Sequence, residues 1–173
     1  ATIERNSTDV AKAVATISAA KPEAVIIVSA YKGSAAFIRE MKKVLPTVDF
    51  WNVSFVGSNE LRDELKEDGH GVAISQVVPF PWSDAVSVAK EHRQVMDGKQ
   101  SFTSLEGFIA AKVLVDGLKR AGKEPTRESF VAALENASKI DVGGFAVSFS
   151  PKNHNGSTFV DLSIISGNGK FIR

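Results

Sequence analysis

A chain of 173 residues is long enough for one ordinary domain or for pieces of two small lobes. Its 21 Lys and Arg nearly balance 20 Asp and Glu, for a net charge of +1, so no basic excess argues for nucleic acid or an anionic membrane. Cysteine is absent, which excludes disulfides, thiolate metal sites and thiol catalysis, and no run reaches the roughly 18 apolar residues of a membrane span.

In chain order, Ala1–Arg5 reads as the tail of a strand that lacks a preceding partner. Asn6, Ser7 and Thr8 offer acceptors for a helix start, Val10, Ala13, Val14 and Ile17 recur at helical spacing, and Pro22 ends that helix. A Val25–Val28 strand leads into a helix over Ser34–Val44 whose buried stripe is Phe37, Ile38, Met41 and Leu45. A mixed stretch from Phe50 to Val56 precedes the loop Gly57-Ser58-Asn59-Glu60 and a helix over Glu60–Glu67. Gly71–Pro79 reads as another strand, and Pro79-Phe-Pro-Trp-Ser83 forbids a regular ladder or helix, as at a crossing between lobes. Helices are expected from Ser83-Asp84 to Met96, over Ser104–Ala121 with Phe108, Ala111, Val115 and Leu118 on one side, and from Pro125-Thr126 through Phe130, Val131 and Leu134. After Gly143-Gly144 the period becomes two, with Phe145, Val147 and Phe149 on one face, then a loop over Ser150–Gly156, a strand over Thr158–Ser166 and a tight turn at Gly167-Asn168-Gly169. The pattern is α/β with a β-rich tail.

The most informative stretch is Ala24 to Lys43, an unbroken Val and Ile run passing through small residues and a Tyr into an amphipathic helix. Such a run suits a strand covered on both faces, as in a parallel sheet, and those sheets meet ligands just beyond the carboxyl ends of their strands. Ser29, Ala30, Tyr31 and Lys32 stand at that place. Tyr31 is the only tyrosine, and its ring can stack on a ligand while its hydroxyl donates or accepts; as readily, it is a half-buried loop residue. The sequence around Phe102 is more simply a helix staple and cap than a pocket wall, and Trp51 and Trp82 are more simply packing than recognition. The acidic run Glu60, Asp63, Glu64, Glu67, Asp68 reads as a solvated helix face, except that Glu60 opens the helix from a post-strand loop. His70, His92 and His154 have no metal-ligand spacing and read as surface residues. Phosphate-loop, dinucleotide, zinc-hydrolase and nucleophile-elbow motifs are all missing, so no catalytic set, metal or cofactor is expected.

Taken in order, N-S-T-D-V, K-P-E-A-V-I-I-V-S-A-Y, F-V-G-S-N-E-L, G-V-A-I-S-Q-V-V-P-F-P, S-F-T-S-L-E-G-F-I-A-A-K-V-L-V-D-G-L-K-R-A-G and G-G-F-A-V-S-F-S-P-K-N-H-N-G resemble the type I periplasmic binding proteins, and more narrowly the branched-chain amino-acid (Leu/Ile/Val-type) branch that feeds ABC importers. The likeness runs over essentially the entire chain but matches only the carboxyl-terminal part of such proteins. It implies two parallel-sheet lobes with helices on both faces, joined by three crossings, with ligand held in the cleft between them. On that resemblance residues 1–76 are the later half of lobe two, 77–157 the crossover and returning lobe-one segment, and 158–173 the final return strand to lobe two.

The resemblance also implies contacts. In the amino-acid binders a lobe-two Tyr and an acidic residue after the next strand meet the ligand, and Tyr31 and Glu60 fall near those positions, with Ser29, Ala30 and Ser58 beside them. Asn59 fits the acidic position equally well; Glu60 would favour a ligand with an ammonium group, Asn59 a carboxylate or aromatic acid without one. Phe102 falls near the lobe-one aromatic that lines the side-chain pocket. The expectation is therefore an extracytoplasmic solute-binding component of an ABC importer, periplasmic or extracellular and membrane-associated, with no chemistry of its own. Its partners would be a small ligand, an amino acid or an aromatic or aliphatic carboxylate, and an ABC permease; the fragment alone would form a homodimer to cover its open apolar faces. The rival readings are a ligand-sensing regulator or receptor domain of the same fold, or an α/β enzyme.

Overall fold

A computed structural model describes residues 1–173. The chain divides into two compact units, the first made of residues 1–76 and 161–173 and the second of residues 77–160.

In the first unit the elements are α1 (Ala11–Ala19), β1 (Ala24–Ile27), α2 (Tyr31–Val44), β2 (Asp49–Asn52), a short 3-10 turn (Ser54–Val56), α3 (Ser58–Leu65) and β3 (Ala73–Gln76). The chain returns to this unit with two strands that close the sheet, here numbered after the pair in the second unit: β6 (Asp161–Ile165) and β7 (Phe171–Ile172). The sheet order is β1-β2-β3-β6-β7. β1, β2 and β3 run parallel, while β6 pairs antiparallel to β3 and β7 antiparallel to β6. The strand–helix alternation enforces the parallel half, because a parallel neighbour is reached only through a crossover.

Alternation along the strands decides what the sheet buries. Val25, Phe50, Ile74, Ile165 and Phe171 are buried on one face, as are the polar Asn52, Gln76 and Ser163. The opposite face carries Ile26, Trp51, Leu162, Ile164 and Ile172, all substantially exposed, with Ile26 at 77%. The Val25–Val28 run is therefore covered on one side within these residues, not on both; β1 is also an edge strand with one row of backbone groups unpaired. Phe37, Ile38 and Met41 of α2 and Leu61 and Leu65 of α3 are buried as their helical spacing predicts.

Several boundaries differ from the periodicity reading. Residues 1–4 form no strand, and a turn follows at Arg5-Asn6. Ser7 does not cap α1: its Oγ accepts from Asp9 N, while Val10 holds the cap position without a side-chain bond. α2 begins three residues before Ser34, because Gly33 fits a first turn where a Cβ would stand 2.9 Å from both Ile3 Cδ1 and Ser29 Oγ. α3 begins at Ser58, ahead of Glu60.

The second unit holds α4 (Ser87–Met96), α5 (Phe102–Ala121), α6 (Arg127–Glu135) and the hairpin β4 (Ile140–Asp141) and β5 (Ala146–Val147). Ser101 with Ser104, and Thr126 with Ser129, form reciprocal capping boxes that start α5 and α6. Ser83 and Asp84 serve other ends: Ser83 Oγ accepts from Ala85 N, and Asp84 pairs with Arg93. α5 buries Phe102, Leu105, Ile109 and Gly117, while Leu114, Val115 and Leu118 are exposed, so its inward face is rotated from the one expected. His92, expected on a polar helix face, is fully buried against the Phe108 ring at 5.6 Å. No helix is long and apolar enough to cross a membrane.

Candidate functional site

Along β1, between that strand, residues 1–7 and α1, the first unit has a recess of about 700 Å³ that reaches the carboxyl end of β1 at Val28, Ser29, Ala30, Tyr31 and Lys32, with Phe55 at its side. Its construction follows from the sheet. A parallel strand delivers its following residues to one edge, and the helix after it points its amino terminus back at that edge. Ala30 holds the cap position of α2 without a side-chain cap, so the first-turn N–H groups of a 14-residue helix are left for an outside acceptor, with Lys32 beside them.

Tyr31 stands in the first turn of α2, not in a loop as its sequence context suggests. It is half-buried, and Lys32 Nζ lies 5.9 Å from its ring centroid. Ser34, buried one turn on, donates from Oγ to Ser29 O at 3.4 Å and ties the strand end to the helix. Phe55 has no counterpart among the sequence expectations. It lies on the 3-10 turn after β2, is 75% exposed, and shares the recess with Tyr31. The strand-end rule that picks Tyr31 picks Phe55 as well once β2 is seen to stop at Asn52; the reading of Phe50 to Val56 as one mixed stretch hides that stop.

Ser58, Asn59 and Glu60 do not line this recess and form the first turn of α3. Ser58 is buried and its Oγ accepts from Gln76 Nε2 at 3.0 Å. Asn59 is half-buried, with Oδ1 shielded from solvent and without a protein donor. Glu60 is exposed, and its carboxylate folds back over Gly57, where a Cβ would meet Oε2 at 2.9 Å. Phe102 belongs to the second unit, where it is buried at the start of α5 against Phe80 at 5.9 Å and Trp82 at 5.7 Å. Of the residues expected at the site, the structure thus brings Ser29, Ala30 and Tyr31 together in one recess and adds Phe55.

Three parallel strands, each followed or preceded by a helix on one face, and two antiparallel return strands make up this unit. The chain belongs to the periplasmic binding protein family, whose model matches residues 1–168. Among solved structures it is similar to a possible leucine/isoleucine/valine-binding protein from Rhodopirellula baltica SH 1, with 31% identity, a TM-score of 0.89, and coverage of 98% of this chain and 48% of that one. A substrate-binding periplasmic protein from Ralstonia solanacearum aligns at 30% identity and a TM-score of 0.84, over 97% of this chain and 50% of that chain. A branched-chain amino acid ABC transporter protein from Thermus thermophilus, solved with bound valine, shares the fold at 14% identity and a TM-score of 0.78, over 99% of this chain and 50% of its own. The chain therefore spans about half the length of the solved structures it matches. No curated protein matches the sequence.

Proposed function

We propose that this chain is the carboxyl-terminal part of an extracytoplasmic solute-binding protein serving an ABC importer, with residues 1–76 and 158–173 contributing to one lobe and 77–157 to the other. The ligand is a small carboxylate, an amino acid or an aromatic or aliphatic acid. The observation that carries this reading is the recess that joins Tyr31 and Phe55 to the uncapped start of α2 in a chain of this family. The helix terminus and Lys32 suit a carboxylate, and two aromatic rings suit an apolar body. Binding proteins of this kind work outside the cytoplasm and hand ligand to a permease, so the proposal places the parent there.

Calorimetry on the intact parent protein with leucine, valine and phenylacetate tests it. Tyr31→Ala and Phe55→Ala should each weaken binding by about tenfold, the usual cost of truncating an aromatic anchor. No binding of any of the three by the unmodified protein counts against the reading. Glu60→Gln separates the ligand chemistries: loss of amino-acid binding alone would make Glu60 the ammonium partner, and unchanged affinity would remove it from the site.

For the 173-residue chain by itself we further propose a homodimer in which the open faces of two first units cover one another. The support is the row of exposed apolar side chains beside an unpaired edge strand.

A further inference from the structure

Gln76 and Ser163, on the buried face of the first unit's sheet, and Ser58, at the start of α3, are polar side chains buried together. Gln76, the last residue of β3, is 1% exposed; its Nε2 donates to Ser58 Oγ at 3.0 Å and to Ser163 Oγ at 2.8 Å. Ser163 Oγ donates in turn to Ile74 O at 3.3 Å. Ser58 is the first residue of α3 and Ser163 lies in β6, so one amide joins segments separated by 18 and 87 residues.

The location is specific. The chain leaves the first unit immediately after Gln76 and re-enters it at Asp161, and these two residues are register partners in the β3–β6 ladder. Ser58 follows Gly57 and the turn that carries Phe55, whose backbone is closed by Val56 N to Val53 O at 2.9 Å and Gly57 N to Ser54 O at 3.3 Å. A Leu or Met at position 76 would fill the same core volume without any polar group to satisfy. What the amide adds is direction, since hydrogen bonds in a low-dielectric interior hold one geometry where apolar contacts tolerate several.

We propose that Gln76 is a positioning residue for ligand binding: it clamps the start of α3, and with it the Phe55 turn, to the strand pair through which the chain passes out of and back into the unit. The proposal rests on the reading that the strand-end recess of this unit meets ligand. Gln76 does not line the recess, and its Oε1 is buried without a protein donor. It fixes where Phe55 and the first turn of α3 stand, so that the recess holds its shape before ligand arrives.

The test uses Gln76→Met, which keeps the length of the side chain and removes both donors, with Ser58→Ala as a milder variant that deletes one acceptor. Hydrogen exchange is followed without ligand at Gly57 and Leu61, the latter bonded to Gly57 O at 2.8 Å, and at the β1–β2 ladder around Val25 and Phe50. Loss of the clamp should speed exchange at Gly57 and Leu61 by about tenfold and leave the ladder unchanged. General loosening of the core would speed both sets together, and unchanged exchange at Gly57 and Leu61 would overturn the assignment. In the double variant Gln76→Met with Ser58→Ala the local effect should not exceed that of Gln76→Met alone; additive effects would also overturn it. Titration of the parent protein with leucine and phenylacetate should then show weakening of about three- to tenfold in Gln76→Met. If the unmodified parent binds neither, the binding reading falls by itself, while the exchange data still decide whether Gln76 holds the turn.

Discussion

Gly57 shows how one residue sets the entry to α3. Its φ of +80° lies in the region that side chains other than glycine enter at a cost, and the position a Cβ would take is 2.9 Å from Glu60 Oε2. Gly57→Ala should destabilise the first unit by about 1–2 kcal/mol from backbone strain alone. Urea unfolding measures this, and adding Glu60→Ala should recover only the part due to the carboxylate contact. Recovery in full would mean that the glycine is there to make room, not for its backbone. At this scale the sequence was partly legible. Tyr31 is visible as the single tyrosine after a strand, whereas Phe55 and Gln76 depend on where β2 and β3 stop, and strand ends leave a weak local signal.

Among the elements, α4 and α5 carry a titrating group inside their packing. His92 is fully buried, neither ring nitrogen has a protein partner, and burial, with a lesser push from the neighbouring Arg93 charge, lowers its pKa below the ordinary value of 6.5. In the unfolded chain the imidazole takes its proton near that ordinary value, so just below it the unfolded state holds more protons than the folded one. Stability of the second unit should therefore be insensitive to this group above about pH 6.5 and should decline as pH falls beneath it. Each unit has one tryptophan, Trp51 in the first and Trp82 in the second, so a Trp51→Phe background reports the second unit by fluorescence. Denaturant midpoints between pH 7.5 and 5 should fall more in that background than in the same protein with His92→Leu; parallel slopes would remove His92 as the cause. A helix with charged neighbours on both sides of a histidine reads as a polar face, and only the packing of α4 against Phe108 shows that this position turns inward.

For the whole molecule, the open sheet face is what the homodimer proposal rests on. Ile26, Trp51, Ile164 and Ile172 stand exposed in one row across the sheet, interrupted by the buried Ala73, with the exposed Leu162 in the next row, and the β1 edge has unpaired backbone groups. Exposed apolar surface of this kind drives association. The 173-residue chain should be a dimer or larger by light scattering at tens of micromolar, and Ile26→Lys with Ile164→Lys should shift it toward monomer. At a dilution where the unmodified chain is itself monomeric, Ile26→Lys, at a position 77% exposed, should leave the thermal midpoint unchanged. A compact monomer of the unmodified chain at high concentration would sink the homodimer proposal.

The sequence by itself determined most of the helices and the α/β class, because those rest on periodicity, caps and turn residues that act within a few positions; the family was legible only as a resemblance carried by its motifs taken in order. The boxes at Ser101 with Ser104 and Thr126 with Ser129 are examples, each closed within three residues. Tertiary structure decided which face of the sheet is covered, how the last strands return, and what Gln76 binds. β6 lies antiparallel to β3 from about 90 residues away, and nothing in the local pattern of Asp161–Ile165 says which neighbour it will find. Burial of Gln76, Ser58 and Ser163 likewise depends on three distant segments meeting, and a buried hydrogen bond exists only once all of them are in place.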